Sequence, residues 1–331
     1  WTLSRGLGDV YKRQLGDGPG LVPIFDGRLP DGSRVNGTIP PVTPDGPTLT
    51  IRKFREDPLT MIDLVKFGTV NSRLAAMMWV WIEGLDSRPA NFVIAGGTGS
   101  GKTTTLNCLG MFIPWHRRLL TVEDTAELQV YHDHWLRMET RRERPDGTPE
   151  VDMNDCLKSS LRMRPDRIIV GEVRGPEAAT LLTAMNTGHD GSFGSLHANT
   201  AQETVTRMIN PPMNVPPIML SGLDLIIIQA RLHVNGKTAR KITEVAEIAG
   251  MEGDKPRLNV IWKYNAATDQ IEETGIPSKL REIICNAAGV SPDVFEKHVS
   301  QRQAILRDLA QRDIHDIQTV TQVIQNFYAS R

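Results

Sequence analysis

Two patterns divide the chain. From Leu59 onward, apolar positions recur at helical spacing in some segments and condense into short apolar runs in others. Thr60–Phe67 and Val70–Leu85 read as helices, the second carrying Leu74, Met77, Met78 and Trp81 on one stripe, which we assign to packing. Runs at Phe92–Ala95, Leu119–Val122, Trp135–Met138, Arg167–Val170, Ser192–Leu196 and Leu225–Arg231 predict strands separated by helices. Such alternation predicts an α/β fold with a mostly parallel sheet and helices on both faces. Residues 15–58, by contrast, are rich in Gly and Pro, with extended candidates at Arg34–Pro40 and Thr48–Phe54. With so few apolar side chains this stretch cannot close a core alone. It is expected to be the remnant of a truncated α+β N-terminal domain and its linker. Ser278–Tyr328 is charged and amphipathic, punctuated by Gly289 and Pro292, and reads as a small helical appendage. The expected boundaries are therefore 59–275 for the central domain and 276–331 for the helical region.

Composition adjusts this picture in three places. The chain has 331 residues, 40% hydrophobic and 5% aromatic, with a formal net charge of −1, enough for one large domain and a smaller one. A near-neutral balance lacks the basic footprint of a nucleic-acid binder, so no nucleic-acid partner is expected. Cys108, Cys156 and Cys285 lie far apart with no C-x-x-C pair, which argues against a zinc site or a disulfide framework and suits a reducing cytosol. The longest apolar run, Ile218–Ala230, falls short of the roughly 18 residues of a membrane span and carries Asp224, so it is expected in the core. No signal-peptide pattern is present. The first methionine is Met61, and the leader Trp1–Gln14 resembles a non-native extension on a truncated gene.

The candidate chemistry begins at residues 96–103, Gly-Gly-Thr-Gly-Ser-Gly-Lys-Thr, a complete G-x-x-x-x-G-K-[ST] phosphate loop. Glycines let successive backbone N–H groups turn inward around a phosphate chain with no Cβ in the way. Lys102 can set a cation against the β- and γ-phosphates, and the Thr103 hydroxyl can hold Mg²⁺. A strand at Asn91–Ala95 precedes the loop and a helix over Thr104–Phe112 follows it, so phosphate meets a helix N-terminus. Gly96, Gly97, Thr98, Gly99, Ser100, Gly101, Lys102, Thr103 and Thr104 are the candidate nucleotide contacts, and ATP with Mg²⁺ is the expected ligand pair.

Three further constellations narrow the reading. The strand Leu119–Val122 ends in Glu123 and Asp124, and either carboxylate can orient or deprotonate a water aimed at the γ-phosphate. Acidic residues set against a helix dipole remain the alternative for that pair. Arg167–Val170 ends in Gly171-Glu172, a Walker-B-like arrangement in which Glu172 reaches Mg²⁺ directly or through water; the commonest form closes with Asp. Arg174 can pair with Glu172 or meet phosphate. The glycine-rich stretch Thr187–Asn199 carries His189 and His197, two histidines eight apart and both expected beside the site.

The ordered set Gly96–Thr103, Glu123-Asp-Thr, Gly171-Glu172 and Gly188-His-Asp-Gly…His197-Ala-Asn resembles the Walker A, Asp box, Walker B and His box of the secretion ATPase superfamily. That superfamily holds the type II/IV secretion, Tad/Flp pilus and archaeal pilus or archaellum motors. The strings Asp31–Asn36, Ile51–Phe54, Leu136–Arg141, Leu161–Gly175 and Ala184–His189 look closest to Tad-type pilus assembly ATPases; past Gly253 the chain looks more like archaeal members. The resemblance implies a RecA-like motor domain joined to an N-terminal domain, a homo-hexameric ring, and nucleotide held between the two domains. It implies that Glu123 is the catalytic carboxylate, Glu172 the Walker B residue, and His197 the link between nucleotide state and conformation. Arginines on the γ-phosphate match Arg52 best, with Arg137 and Arg141 behind it, in a charged stretch that also holds Arg142 and Arg144. An inner-membrane platform protein is the implied partner, with a cytoplasmic location at the inner face of the membrane. Two rival functions are a RecA-like nucleic-acid translocase and a non-hydrolysing assembly or regulatory subunit. The near-neutral charge opposes the first, and Lys102, Thr103, Glu123 and Glu172 together oppose the second.

Overall fold

The computed structural model describes residues 23–143, 147–234, 236–253 and 255–330. The expected leader Trp1–Gln14 and Arg144 lie outside the described residues. The chain forms two compact units, Trp1–Pro58 and Leu59–Arg331.

In the first unit, β1 (Ile24–Arg28), β2 (Arg34–Thr38) and β3 (Thr48–Arg52) make a three-stranded antiparallel sheet in that order. Strand β1 was not anticipated, because Asp26, Gly27 and Arg28 interrupt any apolar alternation. It pairs along its length with β2, Ile24 opposite Thr38 and Arg28 opposite Arg34. Its Phe25 ring lies over Gly37, where a Cβ would come within 1.9 Å of the ring. Among the described residues of this unit Val35 is the one buried hydrophobic side chain, so the three strands enclose almost no interior.

The second unit is built on a nine-stranded sheet. Its central strands are β4 (Phe92–Ala95), β5 (Leu119–Glu123), β6 (Trp135–Glu139), β7 (Arg167–Val170), β8 (Phe193–Leu196) and β9 (Leu225–Val234). They run parallel in the order β9-β4-β8-β7-β5-β6. Both faces are covered, as the near-continuous apolar runs require. Ile94, Phe92, Ile169, Phe193 and Ile227 face one core, while the alternating Val93, Ala95, Val170, Leu196 and Ile228 face the other. On the β9 edge the sheet continues antiparallel through β10 (Lys237–Glu252), β11 (Lys255–Asn265) and β12 (Gln270–Glu273). That edge was not anticipated.

Helices follow their caps. Helix α1 (Met61–Lys66) begins where the Asp63 carboxylate accepts the Thr60 N–H at 2.8 Å. Helix α2 (Ser72–Glu83) is capped by Asn71 and ended by Gly84 at φ 67°. Its stripe Leu74, Met77, Met78 and Trp81 is buried, as packing predicts. Helix α3 (Lys102–Gly110) starts two residues earlier than the sequence reading, directly at the end of the phosphate loop. Helices α4 (Met153–Ser160), α5 (Glu177–Asn186) and α6 (Ala201–Ile209) cover the second core. Ile218, expected in the core, sits 69% exposed on a short 3-10 turn, and burial of that run begins with Leu220.

The C-terminal helices α7 (Lys279–Ala288), α8 (Pro292–Gln311) and α9 (Ile317–Ala329) are not a separate appendage. Phe295, Val299, Leu306, Val320 and Ile324 share the first core with α2. Arg302, fully buried, is ion-paired with Glu83 and lies over the Trp79 and Phe327 rings. Trp79 stacks on Phe112 at 5.1 Å and donates to Tyr328, whose hydroxyl donates to the Phe112 carbonyl. The pairs Glu83–Arg302, Trp79–Tyr328 and Phe112–Tyr328 join residues more than 200 positions apart, which local periodicity cannot register.

Candidate active site

The C-terminal ends of β4, β8, β7 and β5, neighbours in the parallel sheet, lie at one end of it. Strand β4 runs into the phosphate loop, whose first glycine is forced by its neighbour. A Cβ at Gly96 would lie 2.1 Å from the Gln229 carbonyl oxygen, because β9 pairs with β4 up to Ala95 opposite Ile228. Gly99 and Gly101 take φ 73° and 96°, left-handed values that side chains disfavour. Thr98 and Gly99 are exposed at the apex, while Gly96 and Ser100 are buried. Lys102 is 8% exposed, and its ammonium donates to the carbonyls of Gly96 at 2.8 Å and Gly97 at 3.2 Å. Burial lowers its pKa and the Arg174 charge adds to that, while Glu172 opposes them. Thr103 and Thr104 follow on the first turn of α3, half-buried.

On the adjoining strands, the tip of β5 places Glu123 against the tip of β7. A Cβ at Gly171 would sit 2.9 Å from Glu123 Cγ, so the glycine before Glu172 is what lets the two carboxylates share the crevice. Glu123 is 3% exposed. One oxygen accepts the N–H groups of Glu127 and Leu128 at 2.9 and 3.0 Å, and the other, Oε2, has no hydrogen-bond partner among the described residues. Burial raises its pKa despite those two donors and Arg137. Glu172 faces His197, whose Nε2 stands 2.7 Å from Oε1, close enough for an ion pair yet not an aligned hydrogen bond. The other Glu172 oxygen receives Arg174. Burial and the Lys102 charge lower the His197 pKa, against the pull of Glu172. Asn199, two residues on, comes 3.6 Å from where a Gly97 Cβ would be.

Lys102, Glu123, Glu172 and His197 are thus brought together, and Arg174 with them. Of the other expected residues in this unit, His189 and Arg141 lie apart from these. His189 precedes β8, so the four residues of that strand carry it to the opposite end of the sheet from His197. Its carbonyl accepts from Ser192 there. Arg141 lies beyond β6 on a single bridge to Val151, exposed, with its guanidinium on the Pro149 carbonyl. Arg137 donates to the Leu128 carbonyl and covers the Trp135 ring. Arg52 ends β3 in the first unit, opposite Arg34. Asp124, the other carboxylate of its pair, is exposed, accepts from Thr140 and stands 3.9 Å from Arg174.

Sequence reasoning passed over Gln229, Arg231 and Arg240. Gln229 is buried, with Oε1 accepting from the Thr105 hydroxyl at 2.8 Å, and Arg240 donates to the Gly99 carbonyl at 3.0 Å. The available signal was a glutamine and an arginine closing the apolar run Leu225–Ile228, on a strand that needs neither for packing.

The fold and these tips define an α/β P-loop domain with RecA-like architecture. The chain belongs to the family described as Type II/IV secretion system protein, which matches residues 20–321. It is 31% identical to "Uncharacterized protein MJ0781" of Methanocaldococcus jannaschii, over 92% of this chain and 66% of that protein. It is 37% identical to "Conjugal transfer protein TrbB" of Rhizobium radiobacter, over 69% of this chain and 68% of that one. The chain therefore spans about two thirds of the length of these relatives. The X-ray structure of the Legionella pneumophila ATPase DotB shares its fold at a TM-score of 0.53 and 20% identity, over 93% of this chain and 75% of that one. Among the described residues, no helix is long and apolar enough to cross a membrane.

Proposed function

We propose that this protein hydrolyses ATP and transmits the energy as mechanical work within a type II/IV secretion or pilus-assembly machine. The observation that carries the proposal is the packing of Glu123 against Gly171, which sets a buried, partly unsatisfied carboxylate beside Glu172 and in the same crevice as Lys102. Support comes also from the family to which the chain belongs.

The site suits a triphosphate with magnesium. A Cβ at Gly96 or Gly101 would strike Gln229, the buried Ser100 hydroxyl has no partner among the described residues, and Lys102 donates to loop carbonyls that its ammonium can leave for a phosphate chain. Thr103 and Glu172 supply the oxygen donors that hold Mg²⁺, which when bound neutralises charge on the β- and γ-phosphates. Lys102 and the loop amides stabilise charge on the transferring phosphoryl group. Glu123, its proton affinity raised by burial, orients the attacking water and accepts its proton. His197, against Glu172, registers loss of the γ-phosphate in this reading. In this reading the chain works as a homo-hexamer on a membrane platform protein, at the inner face of the cell membrane, moving pilin-like subunits. Its sequence strings favour a Tad/Flp-type role within the family.

Phosphate release under saturating ATP and Mg²⁺ tests the proposal. Lys102→Ala is expected to lose on the order of 10²-fold or more in turnover, as removal of one electrostatic stabiliser does. A variant that hydrolyses ATP at the wild-type rate would overturn the assignment.

A further inference from the structure

Arg231 and Arg240 stand directly opposite one another on the antiparallel pair β9–β10. Like charges in register repel, so this juxtaposition costs stability unless something else pairs with them. Among the described residues neither guanidinium is ion-paired with a carboxylate, and both are exposed. Both lean on the phosphate loop. Arg240 Nε donates to the Gly99 carbonyl at 3.0 Å, and its Cδ lies 3.2 Å from where a Gly101 Cβ would be. Arg231 Nη1 lies 3.9 Å from the corresponding point on Gly99. Strand β9 brings them there, since its pairing with β4 carries Gln229 alongside Gly96.

The sheet order says which part of a ligand they face. Glu123, Glu172 and His197 come from β5, β7 and β8, all on one side of β4, whereas β9 is on the other. The two arginines therefore flank the loop on the side away from the groups proposed to act on the γ-phosphate. We infer that Arg231 binds the α/β-diphosphate portion common to ATP and ADP, and that Arg240 is a positioning residue that fixes the loop and holds the second charge beside it. The inference rests on the nucleotide reading above and deepens it. A guanidinium on phosphate is a charge-assisted, fork-shaped contact, and Arg231 gives it equally to substrate and product. Equal binding of the two states changes affinity and leaves the chemical barrier alone.

The test is calorimetric titration of the full chain with ADP and with a non-hydrolysable ATP analogue, each with Mg²⁺, beside steady-state ATPase kinetics. Arg231→Ala is expected to weaken both nucleotides by the same factor, about tenfold or more for one lost charge-assisted contact. KM for ATP should rise in step while kcat changes less than about threefold. Arg231→Lys should recover part of the affinity. Arg240→Ala should weaken both nucleotides, and Arg240→Lys, which keeps a donor for the Gly99 carbonyl, should restore most of it. Unchanged ADP affinity in Arg231→Ala, or a loss confined to kcat, overturns the inference. Wild-type protein that binds neither nucleotide overturns this inference together with the nucleotide reading. Wild-type binding that Lys102→Ala abolishes and Arg231→Ala leaves intact overturns this inference alone.

Discussion

The two ends of the parallel sheet are built differently from the same strands. At the end where the strands begin, several polar groups are anchored on one another, although Arg167 Nε and His189 Nδ1 are buried there without a hydrogen-bond partner among the described residues. Asp224 accepts both guanidinium nitrogens of Arg88 and the Asn91 N–H. The Asn91 side chain accepts from Gly191 and Ser192 and donates to the Gly222 carbonyl. Arg167, its pKa lowered to about 10 by burial, ties Asp166 to Asp190 through their carbonyls. At the end where the strands finish, groups are held close and left incomplete. Among the described residues, the buried carboxylate oxygens without a hydrogen-bond partner are Glu123 Oε2 and Glu172 Oε1, and both lie there. A buried polar atom without a partner is expensive, and such atoms persist where a ligand supplies the missing contact. One end holds the sheet together, and the other waits for chemistry.

That contrast is easiest to break by moving one residue at each end. Glu123→Gln keeps an acceptor for the Glu127 and Leu128 amides and removes the base, so kcat for ATP should fall about 10²–10⁴-fold, the usual worth of a positioned general base. Single-turnover kinetics checks this, and a loss confined to KM would contradict the role. At the opposite end, Asp224→Ala leaves Arg88 and the Asn91 amide without their acceptor, and unfolding titrations should show a loss of about 3 kcal/mol. Nucleotide affinity of the protein still folded should not change.

Acidity sharpens the same comparison. Burial raises the Glu123 pKa, so the folded protein holds that proton more tightly than the unfolded chain. Stability contributed by the protonated form is present at low pH and is lost as pH rises through the folded pKa. Glu123→Gln should therefore raise the melting temperature at pH 8, and the gain should vanish near pH 4. Wild-type ATPase activity should fall as the medium is acidified through that raised value. The smallest effect separates the two histidines. His197→Ala should lower kcat measurably, whereas His189→Ala, at the anchored end, should leave ATPase kinetics unchanged.

How much of this was legible follows the same physics. The phosphate loop, the acidic tips of β5 and β7 and the position of His197 are local features, since a strand, a left-handed turn and a helix start each demand their own residues within a few positions. A strand at Ser192–Leu196 was legible too, one residue longer than β8, but its consequence for His189 was not drawn, because which end of a strand a residue occupies depends on both boundaries. The strands β10–β12 mix charge with apolar residues and earn their place only by pairing with β9, which periodicity cannot see. Arg231 and Arg240 were hidden for that reason: their meeting is a property of register. The packing of α8 on α2 through Arg302 and Glu83 was likewise a distant contact with no sequence signature.

The most direct test of the account is an experimental structure of the full chain with a non-hydrolysable ATP analogue and Mg²⁺. The account predicts a triphosphate in the loop of residues 96–103, with Lys102 withdrawn from the Gly96 and Gly97 carbonyls onto phosphate. Glu123 should then be within about 3 Å of a water that faces the γ-phosphate. A nucleotide bound elsewhere, or one in the loop with Glu123, Glu172 and His197 all turned away from its terminal phosphate, would contradict it.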